Sequence, residues 1–419
     1  MKSGKQTKFI WIFLINLLCC HFLQAQETEG LFLKDWKSNC TVWFKHTFTE
    51  DSVTWSGACE NNLALGYGTM KGFTKGLQTS SYIGEMQNGK PHGKGLFTMG
   101  NNRKLEGNFS NGEPLFLSDE CLKHLNKNSI SETDSSEIYV GDNNLKQLYY
   151  HAVVPEGKIK GAVVLMPGTW ETTEHLISST QTLCELAYKN DLAVIALSIN
   201  QRLTLTDAIV SVMNTMIGDA ILKYSIPKDK IVIGGWSMGG LFSLRYTELA
   251  NQDATKTVIH PAAVFSCDGP SDLINIYNKF QMKLRKYPDN SEAAYGIKDL
   301  EKYCGGSPDL VQEKYIYYSS FTYSKPDGGN AKYLIHTPVR IYNDLDANWW
   351  MENRGLDMYY MNGLDQTAMI QLLNDMGNKK AEFINSYQKG YRIEGNRHPH
   401  SWSIVEPVDC MKWILDVLK

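Results

Sequence analysis

No C-x-x-C pair and no H-E-x-x-H occurs in the sequence, so none of the common metal-ligand spacings is present and no metal site is expected. Charge of neither sign dominates: 42 Lys and Arg stand against 45 Asp and Glu, a formal net charge of −3. That balance lacks the cationic excess that nucleic-acid binding needs, and there is no acidic tail. Long apolar runs are confined to the N-terminus, so no later stretch is expected to cross a bilayer. Cysteine is sparse; leaving aside Cys19 and Cys20 in the N-terminal run, seven remain, an odd number that full pairing cannot use.

What is present begins with Lys2, Lys5 and Lys8, an apolar run from Phe9 to Leu23, and a cleavable end at Leu23-Gln24-Ala25. This is the plan of a secretory signal peptide over residues 1–25. The run is shorter than a full span, which disfavours a retained anchor. Leu18 before Cys19 stands where a lipid-attachment site wants a small residue. Export to the periplasm, cell surface or medium is therefore expected, and export permits disulfides. Cys40 and Cys59 flank an expected hairpin and are the favoured pair. Cys184 and Cys267 lie in apolar surroundings and read as buried thiols. Cys304 is left open between a bond to Cys121 and a free thiol.

Glycine recurs in register between Val53 and Leu115. Gly57, Gly66 and Gly68 are matched by Gly84, Gly93 and Gly95, and Gly107 and Gly112 repeat the spacing of Gly84 and Gly89. Trp55, Tyr82 and Leu105 each stand two residues before the first glycine of a unit. One β-hairpin per unit is expected, with glycine at turns and where hairpins stack closely. The stretches Y-I-G-E-M-Q-N-G-K-P-H-G-K-G-L and L-E-G-N-F-S-N-G-E-P resemble MORN repeats. The resemblance implies a small all-β domain over residues 26–117 resting on the next domain. It also implies contact with a membrane surface, with protein or with a second copy; a plain spacer is the rival.

Residues 118–144 are polar and read as a linker, with a short helix around Cys121 to Leu125. From 145 to 419 apolar β-branched runs alternate with amphipathic stretches. Strands are expected at Leu148–Val154, Gly161–Met166, Leu192–Ile199, Ile231–Ile233, Ala262–Ser266, Val339–Tyr342 and Ala381–Tyr387. Helices are expected at Thr172–Asn190, Thr206–Tyr224, Met238–Leu249, Asp365–Met376 and Pro407–Leu418. This alternation predicts an α/β fold with a mostly parallel sheet covered on both faces, and a site at the carboxyl ends of its strands. Residues 271–336 break the rhythm and read as a largely helical cap over the site, a distal decoration being the alternative.

The most informative stretch is Gly235-Trp236-Ser237-Met238-Gly239, a G-x-S-x-G between a strand and a helix. A sharp turn there would push the Ser237 hydroxyl out of the sheet, and the Met238 amide would face a developing oxyanion. A serine needs a base to take its proton, and the base needs a carboxylate to orient it. Asp346 is the favoured acid, with Asp344 and Asp268 as alternatives. His400 is the favoured base, with His398 as the alternative. Ser, then Asp, then His is the chain order of the α/β-hydrolases. G-W-S-M-G, V-V-L-M-P-G-T, P-V-R-I-Y-N-D-L-D and R-H-P-H-S-W-S-I-V together resemble secreted bacterial α/β-hydrolases over about two thirds of the chain. That resemblance implies an α/β-hydrolase sheet with a cap, and an oxyanion hole made by the amides of Thr169 and Met238.

The sequence thus predicts an exported serine hydrolase that cleaves an ester or related acyl bond of a small or acylated substrate through an acyl-enzyme, with no cofactor. A serine peptidase of the same fold is the rival enzyme. A non-catalytic surface module built on the repeats is the rival outside enzymes.

Overall fold

The computed structural model describes residues 31–44, 50–100, 104–130, 137–139 and 148–419. The expected signal peptide and Cys19 and Cys20 lie outside the described residues. Two sheets organise the chain. The first holds β1 (Leu31–Lys34), β2 (Thr41–Phe44), β3 (Ser52–Trp55), β4 (Ala58–Glu60), β5 (Leu63–Thr74), β6 (Leu77–Gln87), β7 (Lys90–Met99), β8 (Lys104–Ser110) and β9 (Glu113–Leu115). It runs β1-β2-β5-β6-β7-β8-β9, with β3 and β4 also paired to β5. Successive strands from β5 to β9 pair antiparallel. A disulfide joins Cys40 to Cys59.

The glycine register has a packing cause. A Cβ at Gly57 or Gly68 would lie 2.3–2.5 Å from the Trp55 ring, and one at Gly95 would lie 2.3 Å from the Tyr82 hydroxyl. Each aromatic ring thus lies flat on backbone where no side chain fits, which is why the pairing recurs in sequence. The end of this sheet packs on helices that belong with the second sheet. Leu115 and Leu117 share an apolar cluster with Leu176 and Ile177, burial that stabilises by about 1.5–3 kcal/mol per side chain. Phe116 N–H donates to Ser178 Oγ (3.1 Å), and Ser118 N–H to Glu185 Oε1 (2.9 Å).

The second sheet contains β10 (Leu125–Ser129), β11 (Tyr149–Val153), β12 (Gly161–Met166), β13 (Leu192–Leu197), β14 (Ile231–Trp236), β15 (Ala263–Cys267), β16 (Val339–Asn343) and β17 (Ala381–Asn385). Its order is β10-β11-β13-β12-β14-β15-β16-β17. The pairs from β13 to β17 are parallel, while β10 and β11 pair antiparallel. Side chains alternate between two cores: Val164 and Ile233 face one, Val163 and Val232 the other. The helices are α1 (Asp119–Lys123), α2 (Thr173–Ser179), α3 (Gln181–Lys189), α4 (Asp207–Tyr224), α5 (Met238–Gln252), α6 (Leu273–Lys286), α7 (Ser291–Cys304), α8 (Pro308–Tyr318), α9 (Ala347–Arg354), α10 (Gly363–Asp375) and α11 (Pro407–Val417). Met213 of α4, Leu241 of α5 and Met369 of α10 cover one face. Cys184 of α3 and Trp413 of α11 cover the other.

Two expectations need correction. The polar stretch read as a linker supplies not only α1 but the edge strand β10. Its signal is backbone pairing with β11 rather than apolar alternation, and a polar edge carrying Lys127 resists pairing with other chains. The single helix expected over 172–190 is two. Thr180 breaks it at φ −111°, ψ 20°, where its Oγ1 donates back to the Leu176 carbonyl at 2.8 Å, a bond that bends helices.

Cys121, Cys184, Cys267, Cys304 and Cys410 are free and buried; Cys304 and Cys121 belong to different cores and do not bond. Burial pushes the Cys184, Cys304 and Cys410 thiols up to about 12. Among the described residues no helix is long and apolar enough to cross a membrane.

Candidate active site

Ser237 sits at the carboxyl end of β14 with φ 54° and ψ −126°, a conformation that strains a residue with a side chain. It is held by its own amide, which donates to the Cys267 carbonyl at 2.9 Å. The glycines two before and two after are required sterically. A Cβ at Gly235 would lie 2.3 Å from the Gly239 backbone, and one at Gly239 would lie 2.3 Å from the Met166 carbonyl oxygen. The tight turn therefore brings α5 against the end of β12, and Ser237 is left half-buried at the floor of a cavity.

That cavity has a volume of about 370 Å³, and Thr169, Ser237, Met238, Asp268 and His400 all line it. The sequence-derived serine, oxyanion residues and favoured histidine thus meet at one place. His400 Nδ1 lies 2.6 Å from Asp268 Oδ2. With Nδ1 engaged by the carboxylate, Nε2 is the nitrogen left to receive a serine proton. The His400 ring also packs on Trp236, with centroids 4.9 Å apart.

The acid favoured from sequence, Asp346, is not at His400. It caps α9, accepting from Trp349 N–H at 3.1 Å, and pairs with Arg397 at 2.9 Å. Asp344 is equally committed: it accepts from the amides of Gln388 and Gly390, both at 3.0 Å, and forms an ion pair with Arg397 at 2.8 Å. Burial raises the Asp344 carboxyl above its ordinary range, against those donors. Asp268, the third candidate, follows β15 rather than β16. It is held at φ 46° by a shelf of amides. Asn343 Nδ2 donates to its Oδ1 at 2.6 Å, and Asn362 Nδ2 to its backbone carbonyl at 2.9 Å. Gln366 fixes the shelf, accepting from Asn343 at 2.7 Å and donating to the Gly269 carbonyl at 2.8 Å.

His398 faces elsewhere. Its Nδ1 accepts from the His400 amide at 3.2 Å, and its ring lies 4.8 Å from that of Trp349. Burial, then Arg392, His400, Arg354 and Arg397, depress its pKa to about 2, so it stays neutral.

One buried carboxylate at the site has almost no sequence signal. Glu171 Oε2 accepts from Gly168 N–H at 2.9 Å, next to Thr169. Its Oε1 lies 2.8 Å from His175 Nδ1 and accepts from Trp402 Nε1 at 2.9 Å. Trp170 N–H donates to Asn200 O at 2.6 Å, and Asn200 Nδ2 returns to the Glu171 carbonyl at 2.9 Å. Glu171 so ties the Thr169 turn to the segment carrying His400. Its place three residues after Gly168 is all that could point to it. The cavity roof comes from α6 and α7, within the expected cap, and also from residues 350–362, outside it. Among the described residues no group of three or more His, Cys, Asp or Glu is placed to hold a metal ion.

No family model matches the chain, and no curated protein matches it in sequence. Solved structures do match. A lipase/esterase from Lactobacillus plantarum aligns over 70% of this chain and 99% of its own, at 11% identity and a TM-score of 0.41. An esterase from the archaeon Pyrobaculum calidifontis aligns over 70% and 82%, at 12% identity and 0.44. An acylaminoacyl peptidase from Pyrococcus horikoshii aligns over 88% of this chain and 56% of its own, at 13% identity and 0.47. By their titles these three are a lipase/esterase, an esterase and an acylaminoacyl peptidase.

Proposed function

We propose that this chain is an exported serine hydrolase of the α/β-hydrolase type that cleaves an ester or related acyl bond. The observation that carries the reading is the 2.6 Å pairing of His400 Nδ1 with Asp268 Oδ2, in the cavity that Ser237 also lines. In this scheme Ser237 Oγ attacks the acyl carbon and His400 Nε2 takes its proton. Asp268 holds the imidazole in the needed tautomer and stabilises the imidazolium. The tetrahedral oxyanion is received by the amides of Thr169 and Met238. Collapse expels the alcohol, which takes its proton from His400. Water then enters by the same base and releases the acid and free Ser237.

Export is supported by the N-terminal Lys2 to Ala25 pattern and agrees with the Cys40–Cys59 disulfide. We assign the glycine-rich sheet to a MORN-like domain that positions the enzyme against a membrane surface or a protein. The test is labelling of the mature protein with a fluorophosphonate, next to Ser237→Ala, with the adduct mapped by mass spectrometry. An adduct on Ser237 is expected. A folded wild type that takes no label overturns the reading.

A further inference from the structure

We infer that the ester carries an anionic group, a carboxylate in the simplest case, at the far end of one arm, and that Lys283 receives it. The inference rests on the hydrolase reading and names its substrate class. Helix α6 begins five residues after Asp268 and runs away from it. Ile276, Lys279, Phe280 and Lys283 fall on one helical face and all line the cavity that holds Ser237. The two lysines on this face are held differently.

Lys279 is a fixed part of the wall. It is buried, and its Nζ donates to the Met361 carbonyl and to Asp365 Oδ2, both at 2.9 Å. Lys283 is loosely held. Its side chain is 15% exposed, while its partner Glu292, 3.1 Å away, is 59% exposed. Glu292 can turn to water at little cost, because a pair with one exposed partner contributes weakly. One Lys283 N–H goes to Glu292, and the ammonium otherwise lies 5.9 Å from the Phe280 ring centroid. A cation in a largely apolar cavity, with a carboxylate partner that can leave, is suited to exchange that partner for a ligand carboxylate. The exchange forms a charge-assisted hydrogen bond in partly desolvated surroundings.

Geometry also sets a length. From Ile276 to Lys283 the helix rises about 10 Å. Lys283 thus stands about two helical turns beyond Ile276 along the wall, and the arm between shares the cavity with the tilted rings of Trp170 and Tyr295, whose centroids are 4.9 Å apart. An apolar or aromatic spacer ending in a carboxylate matches this order of surfaces.

The test uses two matched pairs of chromogenic esters and the full mature chain. In one pair the carboxylate is on the acyl arm: the nitrophenyl monoester of octanedioate against nitrophenyl octanoate. In the other it is on the alcohol arm: the acetate of a carboxyalkyl phenol against that of the alkyl phenol. In the wild type, kcat/KM for the charged member of one pair should exceed that of its neutral match by about tenfold or more. Lys283→Met should bring that ratio near one, and Lys283→Arg should keep it. Ratios near one in both pairs for a wild type that labels at Ser237 overturn the inference and leave the hydrolase reading standing. A preference kept by Lys283→Met also overturns it. No label and no turnover on any of these esters overturns both.

Discussion

Asp268 Oδ2 and His400 Nδ1 lie 2.6 Å apart although 132 residues separate them in sequence. Asp268 directly follows one strand and His400 stands in the loop before the last helix, so the fold alone brings them together. If Asp268 orients the base, Asp268→Asn should keep the shape of the site but offer the imidazole the wrong partner. A loss of about 10⁴-fold in kcat is expected, as for an oriented triad acid. Asp346→Asn should leave turnover near wild type. It should cost about 1 kcal/mol or less through the α9 cap and the Arg397 pair. Parallel kcat and thermal-melt measurements decide between the two acids; a severe loss in Asp346→Asn with Asp268→Asn active would reverse the assignment.

Glu171 is expected to act by positioning. Its carboxylate gathers the Gly168 amide, His175 and the Trp402 indole, so removing it loosens both the Thr169 turn and the segment carrying His400. Glu171→Ala should lower kcat by about 10²-fold, the scale of a small misplacement, with a lesser effect on KM. Glu171→Gln, which keeps one acceptor oxygen, should recover part of it. An equal loss in kcat at every pH, larger than any change in KM, fits positioning. A shift in the pH profile would instead give Glu171 a proton-transfer role.

How legible each element is in the sequence depends on how local its signal is. The buried parallel strands β12, β13 and β14 are apolar along their length, and a short apolar run between turn residues needs no tertiary knowledge. The Ser237 turn is a local steric pattern and reads equally well. The acid is different: any carboxylate after a late strand satisfies the pattern, and only packing decides which one meets the histidine. Asp268 before Gly269-Pro270 looks like a turn residue because it does lie in a turn, at φ 46°. β10 is hidden for a related reason, since after Leu125 its side chains are polar and its stabilisation lies largely in backbone pairing. The wall formed by residues 350–362 carries no regular period and so gives no signal.

His398 makes stability fall with acid. Its folded pKa is depressed to about 2, whereas in an unfolded chain it titrates near 6.5. Below pH 6.5 the unfolded state therefore binds the extra proton, so stability rises with pH. The loss grows as pH falls from 6.5 toward 2, by up to about 1.4 kcal/mol per pH unit. His398→Asn keeps an acceptor for the His400 amide and removes the titration. Its melting temperature should drop less between pH 7 and pH 5 than that of the wild type. Equal drops would show that other groups carry the acid sensitivity.

The glycines of the first sheet should separate packing from conformational freedom. Gly95→Ala places a methyl 2.3 Å from the Tyr82 hydroxyl and 2.4 Å from its ring, overpacking that should cost about 1–3 kcal/mol. Gly66→Ala has open space around the new methyl but a φ of +72°. It should cost about 1–2 kcal/mol through the left-handed backbone alone. The two costs differ in their coupling to Tyr82. In a Tyr82→Leu background the Gly95→Ala penalty should shrink, because the ring that the methyl strikes is gone, while the Gly66→Ala penalty should stay the same. A double-mutant cycle in urea measures both. If the Gly95 penalty is unchanged by Tyr82→Leu, Gly95 is selected for backbone conformation, and the Tyr82 ring plays no part in that choice.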